Sequence, residues 1–172
     1  FLFVPSDSIF ADLHEKFEDV VQRSLKARVV SVSPSFLLLS IQVVQALMRD
    51  GVTSQNLASL TLTAPPLIKR LVGRPIISPL PANYARLCFQ YLGAVTLRRG
   101  TVGLGDFTDE RLNCLATHTL AQKITVIDDG SPDPAAFCPQ IAVAKLTDGS
   151  TRTARVDALF GSPADPLSEA QH

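Results

Sequence analysis

With 172 residues, the chain suffices for one domain or two small ones, and a 46% hydrophobic composition supplies a packed core and argues against disorder. Sixteen Lys and Arg offset sixteen Asp and Glu, so no excess charge draws in a polyanion, which argues against nucleic acid as a partner. Three cysteines, at 88, 114 and 138, fit neither a disulfide framework nor a zinc motif and read as reduced, mostly buried thiols of a cytoplasmic protein.

The chain opens with "FLFV", a short buried strand ended by Pro5, with Ser6 or Ser8 placed to cap a helix. The spacing of Phe10, Leu13, Phe17, Val20, Val21 and Leu25 predicts that helix, with a charged opposite face. "RVVSVS" (28–33) is dense in β-branched residues and reads as a second buried strand. Pro34 suits the first turn of the next helix, with Ser33 as its cap. That helix contains "SFLLLSIQVVQALM" (35–48), too short for a membrane span, which takes about 20 residues. No basic n-region or methionine precedes the first strand, so no signal peptide is expected, and a start on Phe1 is what a fragment or an expression product would show. Residues 1–50 thus read as β-α-β-α, a partial α/β unit.

After Asp50-Gly51 the pattern changes. Thr53 or Ser54 caps a turn, "ASLTLTA" (58–64) alternates like a strand, and Pro65-Pro66 stops it. "LIKRLVG" predicts one helical turn ending at Gly73, and "RPIISPLP" (74–81) an irregular connector. Residues 82–99 predict one continuous helix closed by Gly100. "DFTDERLNCLATHTLAQ" predicts a helix or two short ones, with Thr108 as cap. "KITVIDD" (123–129) reads as a strand. Two alternating runs flanking Asp148-Gly149 predict a tight antiparallel hairpin. The last dozen residues form a Pro-rich tail, with a helix expected to begin at Ser168. The fold class is therefore α+β: a short β-α-β-α unit (1–50), then a small α+β domain with a hairpin (51–172).

Most of the chemistry-bearing residue types have a structural explanation. His14 and Glu18 stand one helical turn apart, but on a charged face with no third ligand, so no metal is expected. His118, in an apolar helix, reads as a satisfied, partly buried histidine. The glycines of "TVGLGDF" (101–107) follow a helix rather than a strand and cannot form a phosphate cradle. The basic pairs Lys69-Arg70 and Arg98-Arg99 lack interleaved aromatics. Tyr91 shares a stripe with Leu87 and Val95, so it reads as core, yet a phenol can also donate a proton or a hydrogen bond to a carboxylate. Arg86 lies off that stripe but near enough to approach a common ligand.

"FLFVPSDSIFADL" and "VVQRSLKARVVSVSPSFLLLSIQVVQALMRD" together resemble the RmuC family of bacterial DNA-recombination proteins, over nearly all of 1–50. That resemblance implies a restriction-nuclease-like core. Such a core usually places an acidic residue two positions before a lysine, and here those positions hold His14, Ser24, Leu67, Ala121 and Val143. From about residue 51, "LASLTLTAPPLIKRLVGRP", "ARLCFQYLGAVTLRRGTVGLGDFTDE", "LTDGSTRTARVD" and "GSPADPLS" resemble the C-terminal part of the MmgE/PrpD family, which includes 2-methylcitrate dehydratase and cis-aconitate decarboxylase. "DFTDE" and the later "G-x-P-x-x-P-L-S" carry it most specifically.

The second resemblance implies a small α+β lid that works against a large helical domain and uses no cofactor. It places Tyr91 on the family's active-site tyrosine and Arg86 on a basic, substrate-binding position. Cys88 stands where a serine is more usual. The expected function is that of a partial lyase acting on small polycarboxylic acids, inactive without the helical domain. The alternatives are an RmuC-like DNA-recombination fragment and a non-catalytic chimeric fragment that self-associates as a homo-oligomer.

Overall fold

In the computed structural model the described residues are 2–3, 17, 20, 23, 31–32, 34–133 and 136–157, with 2–3 and 31–40 described by backbone alone. The chain forms two units, Phe1–Leu38 and Leu39–His172. In the first, β1 (Leu2–Phe3) pairs in parallel with β2 (Ser31–Val32), Leu2 opposite Ser31 and Phe3 opposite Val32. A parallel pair needs a crossover between its strands, and Val20 and Arg23 are helical. Phe17, placed in the same expected helix, is not helical, although its carbonyl accepts from the Val20 N–H at 3.0 Å, and both Phe17 and Val20 are exposed rather than part of a buried stripe. The other residues of that expected helix lie outside the described residues, as do Ser6, Ser8, Ser33 and the expected helix at Ser168.

Helix α1 (Pro34–Arg49) begins on Pro34, whose missing N–H costs nothing in a first turn. Its end is built by Asp50-Gly51-Val52. The Val52 N–H donates to the Leu47 carbonyl and the Gly51 N–H to that of Met48, both at 3.1 Å. This double bond pattern requires a left-handed residue, and Gly51 has φ +87°. Thr53 and Asn56 then bond reciprocally: Thr53 N–H to Asn56 Oδ1 at 2.7 Å, and Asn56 N–H to Thr53 Oγ1 at 3.2 Å. Asn56 Nδ2 returns to the Gly51 carbonyl at 2.9 Å. Asp50-Gly51 therefore lies inside the second unit, whose boundary falls earlier, within α1.

The second unit is built on a sheet of order β4-β3-β5-β6. Its central strand is β3 (Leu57–Ala64), parallel to β4 (Ile124–Asp128) and antiparallel to β5 (Gln140–Leu146), which forms a hairpin with β6 (Thr151–Val156). The turn matches expectation. Gly149 has φ +84°, Leu146 and Ser150 are bonded across it, and the Ser150 N–H donates to Asp148 Oδ1 at 2.8 Å. Register places Leu60, Leu62, Ala64, Ile124, Val126, Ala142, Ala144 and Ala154 on one face, all buried. Thr61, Thr63, Thr125 and Thr153 alternate onto the other, less buried face. The arrangement is α+β with an antiparallel hairpin, as the patterning indicated.

The parallel pair β3/β4 is joined by helices. First comes α2 (Pro66–Val72), with Leu67, Ile68, Leu71 and Val72 buried. The single helix expected over 82–99 is two, α3 (Ala82–Ala85) and α4 (Phe89–Arg99). Cys88 is extended between them (φ −107°, ψ 100°), forms an antiparallel bridge with Gly73, and donates its thiol to the Arg74 carbonyl at 3.3 Å. Gln90 reinforces the break by accepting from the Ile76 N–H at 2.5 Å and donating to the Ile124 carbonyl at 2.6 Å. Pairing with the Pro-rich connector thus overrides local helix propensity. Gly100 closes α4 as expected, with φ +86°.

A 3-10 turn (Leu104–Phe107) precedes α5 (Asp109–Leu112) and α6 (Leu115–Ala121), so of the two readings, one helix or two short ones, the second holds. Thr108 occupies the cap position but makes no capping bond; its hydroxyl is 3.4 Å from the Gly105 carbonyl. The core gathers where α4 meets α1 and β4: Val43, Val44, Leu47, Phe89, Leu92 and Ile124 are all buried.

Candidate functional site around Tyr91

Helix α4 carries Tyr91, Val95, Arg98 and Arg99 at i, i+4, i+7 and i+8, a spacing that turns all four to one side. They line a cavity of about 110 Å³, closed by Asp106 from the 3-10 turn, Arg111 from α5 and Thr117 from α6. Three guanidinium groups and one carboxylate therefore surround a phenol.

Tyr91 is fully buried, which fits the core reading of its stripe. Its hydroxyl donates to the backbone carbonyl of Asp106. Burial pushes its pKa up to about 12, and the Asp106 carboxylate pushes the same way, while Arg111 and Arg99 act against them. The group is a neutral phenol at any physiological pH: a hydrogen-bond donor and a weak acid, not a base.

Asp106, from the "DFTDE" stretch, is held at both oxygens. Arg99 Nη1 is 2.8 Å from Oδ1, and the Gly103 N–H donates to Oδ2 at 2.8 Å. The aspartate is almost wholly buried while Arg99 is half exposed. Arg98 is fixed differently: its Nη1 donates to the Thr117 hydroxyl and lies 3.2 Å from Cys114 Sγ. Hydrogen bonds from Thr117, then Arg98, lower the Cys114 pKa to about 6 from an ordinary 9.0, favouring the thiolate. Burial moves the Cys88 and Cys138 thiols the other way. All three cysteines are free, but only Cys88 is buried; Cys114 and Cys138 are partly exposed.

Arg86 does not line this cavity. It is exposed at the end of α3, with its guanidinium carbon 5.4 Å from the centre of the Phe107 ring. That ring in turn lies 6.3 Å from the Tyr91 ring. Arg86 and Tyr91 thus each lie near the Phe107 ring, and no bond between the two is formed. His118 is satisfied by the Leu112 carbonyl at 2.6 Å. His14 and Glu18 lie outside the described residues, among which no cluster of three or more His, Cys, Asp or Glu could hold a metal. No helix among the described residues is long and apolar enough to cross a membrane.

Reading Arg98-Arg99 as an isolated basic pair missed the cavity's cations. The usable signal was their spacing from Tyr91. Asp106, Arg111 and Thr117 gave no comparable signal, because an irregular loop and two short helices bring them in.

A mixed sheet with helices over one face, and a cation-lined pocket opening beside a buried phenol, defines a small α+β domain suited to holding anionic groups. The model of the MmgE/PrpD C-terminal domain matches residues 38–172, and the chain belongs to that family. The RmuC family model matches residues 1–74. The two matches share 38–74, the stretch that holds most of α1, the Gly51 turn, β3 and α2. No curated protein matches the chain.

Proposed function

We propose that this chain supplies the lid portion of a cofactor-independent carbon–oxygen or carbon–carbon lyase acting on small polycarboxylic acids in the cytoplasm. In such a reaction a base takes a proton from the carbon next to a carboxylate, and placed cations and donors stabilise the charge that develops. Tyr91 is the donor near the leaving group, a role in which its one O–H turns from the Asp106 carbonyl to the substrate, and Arg86 is a carboxylate contact. The observation that carries this reading is the family match over 38–172, joined to a phenol that burial keeps protonated within a ring of arginines.

The base and the remaining positioning groups come from a helical domain outside these 172 residues. Positioning by several groups supplies most of a rate enhancement, so the 172 residues alone are expected to show no enzyme-like turnover. Leu104 and Leu115, 88% and 80% exposed, belong to two elements beside the pocket, where a covering domain or a second copy would bury them.

The test mixes the chain with a separately expressed MmgE/PrpD helical domain and assays 2-methylcitrate dehydration and cis-aconitate decarboxylation. Activity should appear only in the mixture and fall at least about tenfold with Tyr91→Phe. Full activity in the Tyr91→Phe mixture would remove the role given to the phenol. The RmuC match over 1–74 supports a second reading, a DNA-recombination fragment. Duplex binding that weakens steeply between 50 and 200 mM salt, by the counterion-release relation, would favour it; the zero net charge favours its absence.

A further inference from the structure

The pocket beside Tyr91 holds more positive charge than its own partners neutralise. Arg98, Arg99 and Arg111 meet one carboxylate, Asp106, already engaged by Arg99 and the Gly103 N–H, and one thiol, Cys114, whose thiolate is favoured beside Arg98, so one guanidinium charge is left over. Arg98 is held by Thr117 and Cys114 through a single nitrogen, Nη1, so its second terminal nitrogen makes no bond to a described residue. The Arg111 guanidinium makes no hydrogen bond or ion pair with a described residue, yet its charge reaches the phenol. Two guanidinium forks, one fixed in orientation and one free, thus share the mouth of a cavity whose wall includes the Tyr91 ring.

We propose that Arg98 and Arg111 form a carboxylate subsite at the mouth of the Tyr91 pocket, distinct from the contact given above to Arg86. This rests on the polycarboxylate reading and deepens it by naming which cations take a substrate carboxylate. Geometry separates the two places. Arg86 lies against Phe107 and away from the cavity, whereas Arg98 and Arg111 line the cavity itself. A carboxylate suits the space: about 110 Å³ admits one such group with water, and its two oxygens match a guanidinium fork. Arg98 is already immobilised, so little of its side-chain freedom remains to be lost on binding. A chain that carries three carboxylates could then place one here and extend another towards Arg86 past Phe107.

The subsite is tested on the full 172-residue chain alone, without any helical domain, so its outcome is independent of turnover in the mixture. Tricarballylate, an unreactive tricarboxylate, is titrated by calorimetry at low salt, with inorganic phosphate and acetate as parallel probes. Saturable tricarballylate binding with a Kd on the order of 1 mM is expected, weaker for acetate. Arg111→Gln, at an exposed position, should weaken it about tenfold, and Arg98→Gln should do the same, with thermal melts confirming that each variant is folded. Arg86→Gln should change it less than either. No saturable binding below about 10 mM overturns the subsite. So does binding that Arg111→Gln and Arg98→Gln leave intact. Phosphate binding more tightly than tricarballylate overturns the carboxylate assignment. Loss of activity in the mixture with binding intact would count against the lyase reading and leave the subsite standing.

Discussion

Tyr91 joins structure and chemistry through one hydroxyl. Removing it leaves the Asp106 carbonyl buried without its donor, so Tyr91→Phe should lower stability by about 1–2 kcal/mol, read as a shift in the urea midpoint at unchanged slope. Cys114 makes the opposite kind of statement, because its fold-specific bonds favour the charged form. Its folded pKa, about 6, lies below the ordinary 9.0, so the stabilisation is complete above about 9 and is lost as pH falls through about 6. Iodoacetamide followed by mass spectrometry should therefore label Cys114 first at pH 7, with a rate that drops below pH 6. Cys88 and Cys138, their thiols raised by burial, should lag. A uniform labelling rate for all three would contradict the Arg98–Cys114–Thr117 geometry. Little of this was legible in sequence. Tyr91 and its core stripe could be read, because helical spacing reports burial. The perturbation of Cys114 could be read only in part: its largest source, Thr117, stands three residues on, but Arg98 arrives from another helix.

At the scale of elements, spacing and turn chemistry located most of what folds locally. The hairpin at Asp148-Gly149, the strand ending at Pro65-Pro66 and the Gly100 stop are short-range features, and each occurs where patterning put it. The break at Cys88 was invisible, because the bridge to Gly73 and the Gln90 bonds are tertiary. Where elements meet, a single residue decides the spacing. Gly93 faces β4 so closely that an added Cβ would lie 3.1 Å from Ile124 Cδ1 and 3.8 Å from Val44 Cγ2. Gly93→Ala asks only that the end of the Ile124 side chain shift slightly, and the better helix propensity of alanine offsets much of that, so the variant should stay within about 1 kcal/mol of the parent. Gly93→Val drives a branched side chain into the same contact and should cost about 2 kcal/mol or more. Thermal melts of the two variants measure the difference, and equal melting temperatures would mean that α4 and β4 are not packed this tightly.

For the whole molecule, the question is where an independent unit begins. Sequence pattern changes at Asp50-Gly51, whereas the compact units divide at Leu38–Leu39 and the two family matches overlap from 38 to 74. The difference has a physical source. A change of pattern marks a change of ancestry or element type, whereas a unit is defined by what its core needs. The core of the second unit needs the end of α1: Val43, Val44 and Leu47 are fully buried, and Gln45 Nε2 donates to the Gly100 carbonyl at 2.9 Å. Each buried aliphatic side chain stabilises by roughly 1.5–3 kcal/mol, and whole domains have only about 5–15 kcal/mol in total. A chain covering 39–172 should therefore keep a cooperative thermal transition and dispersed amide signals. One covering 51–172 loses four core side chains, Ile41, Val43, Val44 and Leu47, and the Gln45 bond together, and should melt without cooperativity or aggregate. The same cut removes Val44, which lies against α4 at Gly93, so its failure should show as binding of an apolar dye at room temperature. A stable, cooperative 51–172 would mean that α1 is an accessory to this domain and that the pattern change at Asp50-Gly51 is the true boundary.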